Sequence, residues 1–342
     1  MTRLDRKLAS IHAGTYKRSD FVIADAKDPD MGSGPSYAAP RRSPDGTVSG
    51  FKTRAEFLQG IKEIVEQDIV DIMLTSVSNL EKLVEMGVFE GSDVKPAIRA
   101  NDATDCWGGI RGHDYNSTPS RPFRSANLDR VMKATVGPNK GQPLTDLGLY
   151  SVTFNNDVES DVRSLEAFSR FRADAAAVGM KYFYEVFNPN VNTGIDPDLV
   201  PHYVNDCLIR SLSGVSQADR PLFLKIPYNG PKAMEELASF DPTLIVGVLG
   251  GGAGTARDTF EIIWQAEKYG ARLALFGRKI NQAEVPLEIV KLMRHVADGD
   301  LTPTEAVKSY HATLATKGLT PIRSPEDDAV VTEPQLKAGA SA

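Results

Sequence analysis

Several features that would direct this chain to a membrane, a nucleic acid or an oxidising compartment are missing. Its 342 residues hold two cysteines, Cys106 and Cys207, which have neither the density of a disulfide scaffold nor the paired spacing of a zinc ribbon. No apolar run reaches the 18 or so residues of a membrane span, and the opening MTRLDRKLAS lacks the apolar stretch of a secretory leader. The expectation is a cytoplasmic protein that does not engage a membrane. Basic blocks are also absent: 39 Lys and Arg stand against 45 Asp and Glu, a formal net charge of −6, so there is no footprint for a nucleic-acid backbone. The five histidines (His12, His113, His202, His295 and His311) fall at no spacing that would place two on one helix face or strand, which argues against a zinc site. What remains is ordinary globular composition, 41% hydrophobic and 25% charged, in a length that suits two domains or one decorated barrel.

Short β-branched or aromatic runs alternate with stretches of helical periodicity. The runs read as strands are Phe21 to Ala26, Ile69 to Thr75, Val94 to Ala100, Gly148 to Asn155, Lys181 to Asn188, Leu222 to Pro227, Leu244 to Leu249 and Arg272 to Phe276. Helical patterns are clearest at Thr53 to Gln67, Val158 to Val178, Leu199 to Leu212, Pro231 to Ser239, Thr255 to Tyr269 and Val285 to Ala297. Eight such units, with no Gly-rich dinucleotide turn after an early strand, predict an α/β fold of the (β/α)8 barrel type over residues 1–317.

Three additions decorate that plan. Residues 28–52, DPDMGSGPSYAAPRRSPDGTVSGFK, read as a mobile loop after strand one. Residues 101–146, carrying Arg111, His113, Arg121, Arg124 and Arg130 with Trp107 and Tyr115, form a long loop after strand three, a substrate lid or an oligomer contact. Past an extra helix begun by a Thr302 cap, Pro303 and Glu305, residues 318–342 have no apolar period and are expected to be a poorly ordered tail.

Barrels of this kind present reactive groups at the C-terminal ends of their strands. At the sixth, Lys225 lies inside the apolar run PLFLKIP, where a solvated charge is expensive to hold. A lysine with the ordinary pKa near 10.4 is neutral in only about one molecule in 2,500 at pH 7, and desolvation raises that fraction. The neutral amine is the form that attacks a carbonyl. Lys225 is therefore either a Schiff-base nucleophile or a structural lysine paired with a carboxylate. After the seventh strand, GGGAGTARDTF offers Gly251, Gly252 and the start of a helix whose N–H groups are expected to be free; after the eighth come Gly277 and Arg278. Together they suggest a phosphate cradle, against the alternative that the glycines merely make tight turns.

The stretches LFLKIPY and LIVGVLGGGAGTARDTFEIIWQAEKYGARLALFGRKINQ, Leu222 to Gln282, resemble the class I aldolases related to deoxyribose-phosphate aldolase, archaeal-type fructose-bisphosphate aldolase and tagatose-bisphosphate aldolase. The resemblance implies that Lys225 forms the imine and that Gly251, Gly252, Gly277 and Arg278 hold a substrate phosphate. It also implies an acidic residue ending strand one, matched by Asp25 of VIADAKD with Lys27 two positions on, and a glutamate on strand five, matched by Glu185 of YFYEVFNP. Strand four, LYSVTFNND, has no lysine and departs from the pattern, with Tyr150 too early to serve. Arg99, Asn101, Asn155 and Asn188, at the third, fourth and fifth strand ends, are candidates for binding sugar hydroxyls, and Lys27 is a further candidate for binding the substrate or its phosphate. Asp25 and Glu185 are candidate proton shuttles, or else salt-bridge partners of Lys27 and Lys225. Cys106 and Cys207 are expected to be incidental.

The expected function is a class I aldolase acting on a phosphorylated sugar or keto compound, without metal or cofactor and, by the resemblance, a homo-oligomer. The alternatives are a phosphosugar isomerase or transaldolase-like transferase on the same barrel, or a non-catalytic barrel that binds a phosphorylated metabolite.

Overall fold

The computed structural model describes residues 2–135, 137, 140–252 and 254–340. Parts of three expectations therefore lie outside the described residues: positions 136, 138 and 139 of the second insertion, Ala253 of the glycine run, and the last two residues of the tail. Strand one is Val22–Lys27, two Ile72–Thr75, three Lys95–Arg99, four Leu147–Thr153, five Lys181–Phe187, six Leu224–Ile226, seven Val246–Leu249 and eight Leu273–Phe276. They pair in parallel in chain order, and strand one also pairs with strand eight, Val22 opposite Leu273 and Asp25 opposite Phe276, which closes the ring. The fold is the single (β/α)8 barrel that the alternation predicts.

Strand alternation divides the apolar side chains into two sets. Val22, Ala24, Ile72, Leu74, Ala97, Leu147, Leu149, Phe183, Phe223, Ile245, Leu273 and Leu275 pack against one another inside the barrel, with the Phe183 and Phe223 rings stacked at 4.6 Å between centroids. Their neighbours along the strands, such as Ile23, Met73, Tyr184, Leu224, Val246 and Phe276, pack outward against the helices. An opening helix not anticipated from sequence, Arg3–His12, contributes Leu4 and Leu8 to the inner set and so plugs the N-terminal end of the barrel. It is pinned by Lys7, whose amine donates to Asp71 at 2.9 Å and to the Phe21 carbonyl at 3.1 Å. Each buried leucine contributes about 2 kcal/mol of apolar transfer.

The outer helices begin where their caps are written. Thr53 and Glu56 form a reciprocal capping box on Arg54–Gln67, and Asp157 caps Val158–Val178, which ends at Gly179 in the left-handed conformation (φ 75°). The extra helix Pro303–Thr316 carries the Thr302–Glu305 box expected of it. Such caps are worth about 1 kcal/mol each. No helix among the described residues is long and apolar enough to cross a membrane.

Both insertions are structured over the mouth. The first makes two 3-10 turns and a hairpin, Pro40–Arg42 with Val48–Phe51; the second makes a ribbon, Asn101–Ala103 with Pro122–Arg124. They meet where Gly109 donates to the Gly32 carbonyl at 3.0 Å. The segment from Gly318 is not the poorly ordered tail its composition suggests. It runs through the short helices Pro325–Asp328 and Pro334–Lys337 along the helix Ala256–Lys268, with Leu336 buried at 2% exposure. Its anchors are polar and distant in sequence: Asp258 accepts from the Thr332 and Glu333 amides, and Gln265 donates to the Leu336 carbonyl at 2.7 Å. A search for apolar period within the tail cannot see such partners.

Candidate active site

The alternation that fills the barrel with Phe183 and Phe223 carries two residues further to its C-terminal mouth, where Glu185 and Lys225 take the same inward direction. They are direct register partners on strands five and six, and Lys225 Nζ lies 2.6 Å from Glu185 Oε1. The lysine side chain is 9% exposed and the glutamate 1%. The other carboxylate oxygen accepts a 2.6 Å hydrogen bond from the hydroxyl of Ser151, the register partner of Glu185 on strand four. Three adjacent strands thus supply a hydroxyl, a carboxylate and an amine in one chain of hydrogen bonds.

Strand three leaves the barrel after Arg99, and side chains take over where its ladder stops. The Asn101 amide accepts from Ser151 N and donates to Ser151 O, both at 2.8 Å, so it replaces backbone pairing beside the serine. Arg99, buried on the same inward alternation as Ala97, donates to Asp28 at 3.1 Å, to the Asn101 carbonyl at 3.1 Å and to Cys106 Sγ at 2.7 Å. Burial pushes the Cys106 thiol up to about 12, more than Arg99 beside it draws it down, so it sits there as a thiol. The cluster therefore includes Cys106, which was expected to be incidental, and two residues that the sequence reading did not weigh, Asp28 and Ser151.

Asp25 and Lys27 are not part of this cluster. In register Asp25 stands opposite Phe276 and Met73, which face the helices, and it shares that alternation with Ile23. Lys27 Nζ lies 3.0 Å from Asp25, and both are buried. Burial raises the carboxyl of Asp25 and lowers the amine of Lys27, in each case against the attraction of the other. This is an ion pair between strand and helix layers, the structural alternative weighed for these residues. The acidic group that strand one sends into the mouth is Asp28. The signal was available: the inward set Val22, Ala24, Ala26 extends by alternation to position 28.

The glycine loops converge as expected, with one correction. Gly251 adopts φ 63°, a conformation costly for other residues, and its carbonyl accepts a 3.0 Å bond from Arg278 Nη2. Gly277 has no room for a side chain, since a Cβ there would lie 2.6 Å from the Ala26 carbonyl. Gly277 caps the short helix Arg278–Gln282 without a side-chain hydrogen bond. The helix Ala256–Lys268, expected to open with free N–H groups, is instead occupied: Thr255 N donates to Asp258 at 3.0 Å and Ala256 N to Asp328 at 2.6 Å. An anion at these loops would meet the Gly251–Gly252 turn and Arg278, but not the start of the longer helix. Asn188 exchanges two 2.9 Å hydrogen bonds with Asn229 and lines a cavity of about 160 Å³ with Gly250, Gly251 and Gly252. Asn155 is turned away to the Asn190 amide at 3.0 Å.

No family model matches the sequence, and no curated protein matches it. Solved structures do match in fold. An archaeal fructose 1,6-bisphosphate aldolase superposes with a TM-score of 0.60 at 15% identity, covering 85% of this chain and 99% of that one. The fructose-bisphosphate aldolase of Slackia heliotrinireducens gives 0.59 at 10% identity, covering 92% of each chain. A Corynebacterium glutamicum protein gives 0.57 at 19% identity, covering 87% of this chain and 94% of that one. At these identities the likeness is one of architecture.

Proposed function

We propose that the chain is a class I aldolase-type lyase that forms an imine at Lys225 with a phosphorylated sugar or keto compound. The observation that carries this reading is the inward-facing Lys225 amine, 2.6 Å from a buried carboxylate at the barrel mouth, on the same face as the Gly251–Arg278 contact. The barrels it resembles include one described as Schiff-base forming, which supports the reading without transferring it.

The pair suits the chemistry. Moving the proton from Lys225 to Glu185 leaves the net charge of the pair unchanged, so a neutral amine is made without exposing an isolated charge to the low-dielectric interior. That amine adds to the substrate carbonyl, and the carbinolamine hydroxyl leaves as water once Glu185 returns the proton. The iminium withdraws electrons from the adjacent carbon–carbon bond. The bond breaks when a base takes the proton of the hydroxyl on the departing carbon, giving an aldehyde and an enamine. Glu185, freed by imine formation and held by Ser151, is the base we assign. Protonation of the enamine and hydrolysis of the imine restore the lysine. In this reading Arg99 and Asp28 bind substrate hydroxyls, and Gly251, Gly252, Gly277 and Arg278 the phosphate.

The test is borohydride trapping with dihydroxyacetone phosphate and a panel of sugar phosphates, read by intact mass. A mass gain present in the wild type and absent in Lys225→Met is expected. A gain that survives Lys225→Met refutes the site, and tight binding without a trapped adduct or any aldehyde product favours the non-catalytic barrel.

A further inference from the structure

The strap of residues 330–336 lies across the end of the glycine loop, and it brings a carboxylate there. Val330 O accepts from Thr255 Oγ1 at 2.7 Å, Thr332 N and Glu333 N donate to Asp258 at 2.7 and 3.2 Å, and Leu336 O is held by Gln265. These anchors act on backbone atoms and on Thr332, so they leave the Glu333 side chain free to point elsewhere. It points at the loop: a methyl group built on Gly252 would lie 3.5 Å from Glu333 Oε1. Glu333 is half-buried and lines the 160 Å³ cavity together with Gly250, Gly251, Gly252, Asn188 and Asn229. Pro227 and Leu249, beyond Lys225 and Gly247 on strands six and seven, line it too. Among the described residues no cation pairs with this carboxylate.

An unpaired carboxylate at that distance is a like charge for any phosphate seated on the same glycines. We propose that Glu333 is a built-in competitor at the anion site, its carboxylate holding the position that a substrate phosphate must take, so that phosphate binding and displacement of the Glu333 side chain are linked. The proposal rests on the phosphate reading of the loop given above. It gives the C-terminal segment a part in the site besides its packing against the barrel. A dianion that contacts Arg278 and the loop amides together can displace the carboxylate, at a cost in affinity that the glutamate sets.

The experiment uses the full chain and inorganic phosphate as probe, titrated calorimetrically at constant ionic strength. Glu333→Gln keeps the size and the backbone anchors. Its phosphate affinity is expected to rise about tenfold, the scale of one like-charge neighbour removed, while exposed Glu326→Gln matches the wild type and Arg278→Ala loses binding. Binding by Glu333→Gln alone supports the proposal equally. Measurable binding that is the same in wild type and Glu333→Gln overturns it and leaves the phosphate reading standing. No binding by any of the proteins overturns both, and imine trapping at Lys225 then judges the lyase reading separately.

Discussion

Removing Glu185 should destabilise the barrel through two orphaned partners, and removing Lys225 as well should undo most of the damage. In Glu185→Leu the Lys225 ammonium, 9% exposed, loses the carboxylate 2.6 Å away, and the Ser151 hydroxyl, fully buried, loses its acceptor. Breaking a buried ion pair from one side costs about 3–5 kcal/mol, and an orphaned hydroxyl about 1–3 kcal/mol. The first falls toward its lower end here, because the lysine keeps some access to water, and the second is taken at about 1 kcal/mol for a neutral hydroxyl. The net expectation is about 4 kcal/mol. The double variant Glu185→Leu/Lys225→Met replaces the charges with apolar groups of similar length and is expected within about 1.5 kcal/mol of wild type, since buried pairs exchange for packed apolar groups at little cost. Urea unfolding of the four proteins, with unchanged m-values, gives the coupling energy directly. A coupling below about 0.5 kcal/mol would show that the two groups do not depend on one another. The proton exchange assigned to them would then have no basis.

Other consequences are separable from that cycle. Glu185→Gln keeps the shape but cannot shuttle a proton, and trapping of the imine is expected to slow by about 10²–10⁴-fold with phosphate affinity unchanged; equal trapping rates would move the base elsewhere. The Glu56 carboxyl is drawn down from 4.5 to about 2 by Arg41 and by the Thr53 amide and hydroxyl. Its folded value lies below its unfolded one, so the stability it lends is present above 4.5 and disappears as pH falls from there toward 2. Carboxyl NMR should find it titrating near 2, and a midpoint at 4.5 would refute the capping-box geometry. Cys106, with its thiol held near 12, should resist alkylation at pH 8 in the native protein and react on unfolding; rapid native labelling would contradict its seat against Arg99. Phe183→Ala removes one ring of the stacked pair inside the barrel and is expected to cost about 3–5 kcal/mol by chemical denaturation, where a loss below 1 kcal/mol would argue against a packed lumen.

The sequence by itself determined the elements and their order. Val158–Val178 follows from an Asp157 cap, apolar period and a terminal glycine, and the extra helix from the Thr302–Glu305 box, because capping and periodicity are written within a few residues of one another. It determined the position of Lys225 as well, since a charge inside an apolar strand is conspicuous without any partner in view. Which acid meets that lysine was a matter of direction, and direction is set by barrel closure. Asp25 and Asp28 lie three residues apart, yet register with Met73 and Phe276 sends the first to the helices, while Arg99 receives the second. Cys106 and the strap around Glu333 were illegible for the same reason: their partners, Arg99 in one case and Asp258 and Gln265 in the other, reach them only once the ring of strands has closed and its loops have met above it.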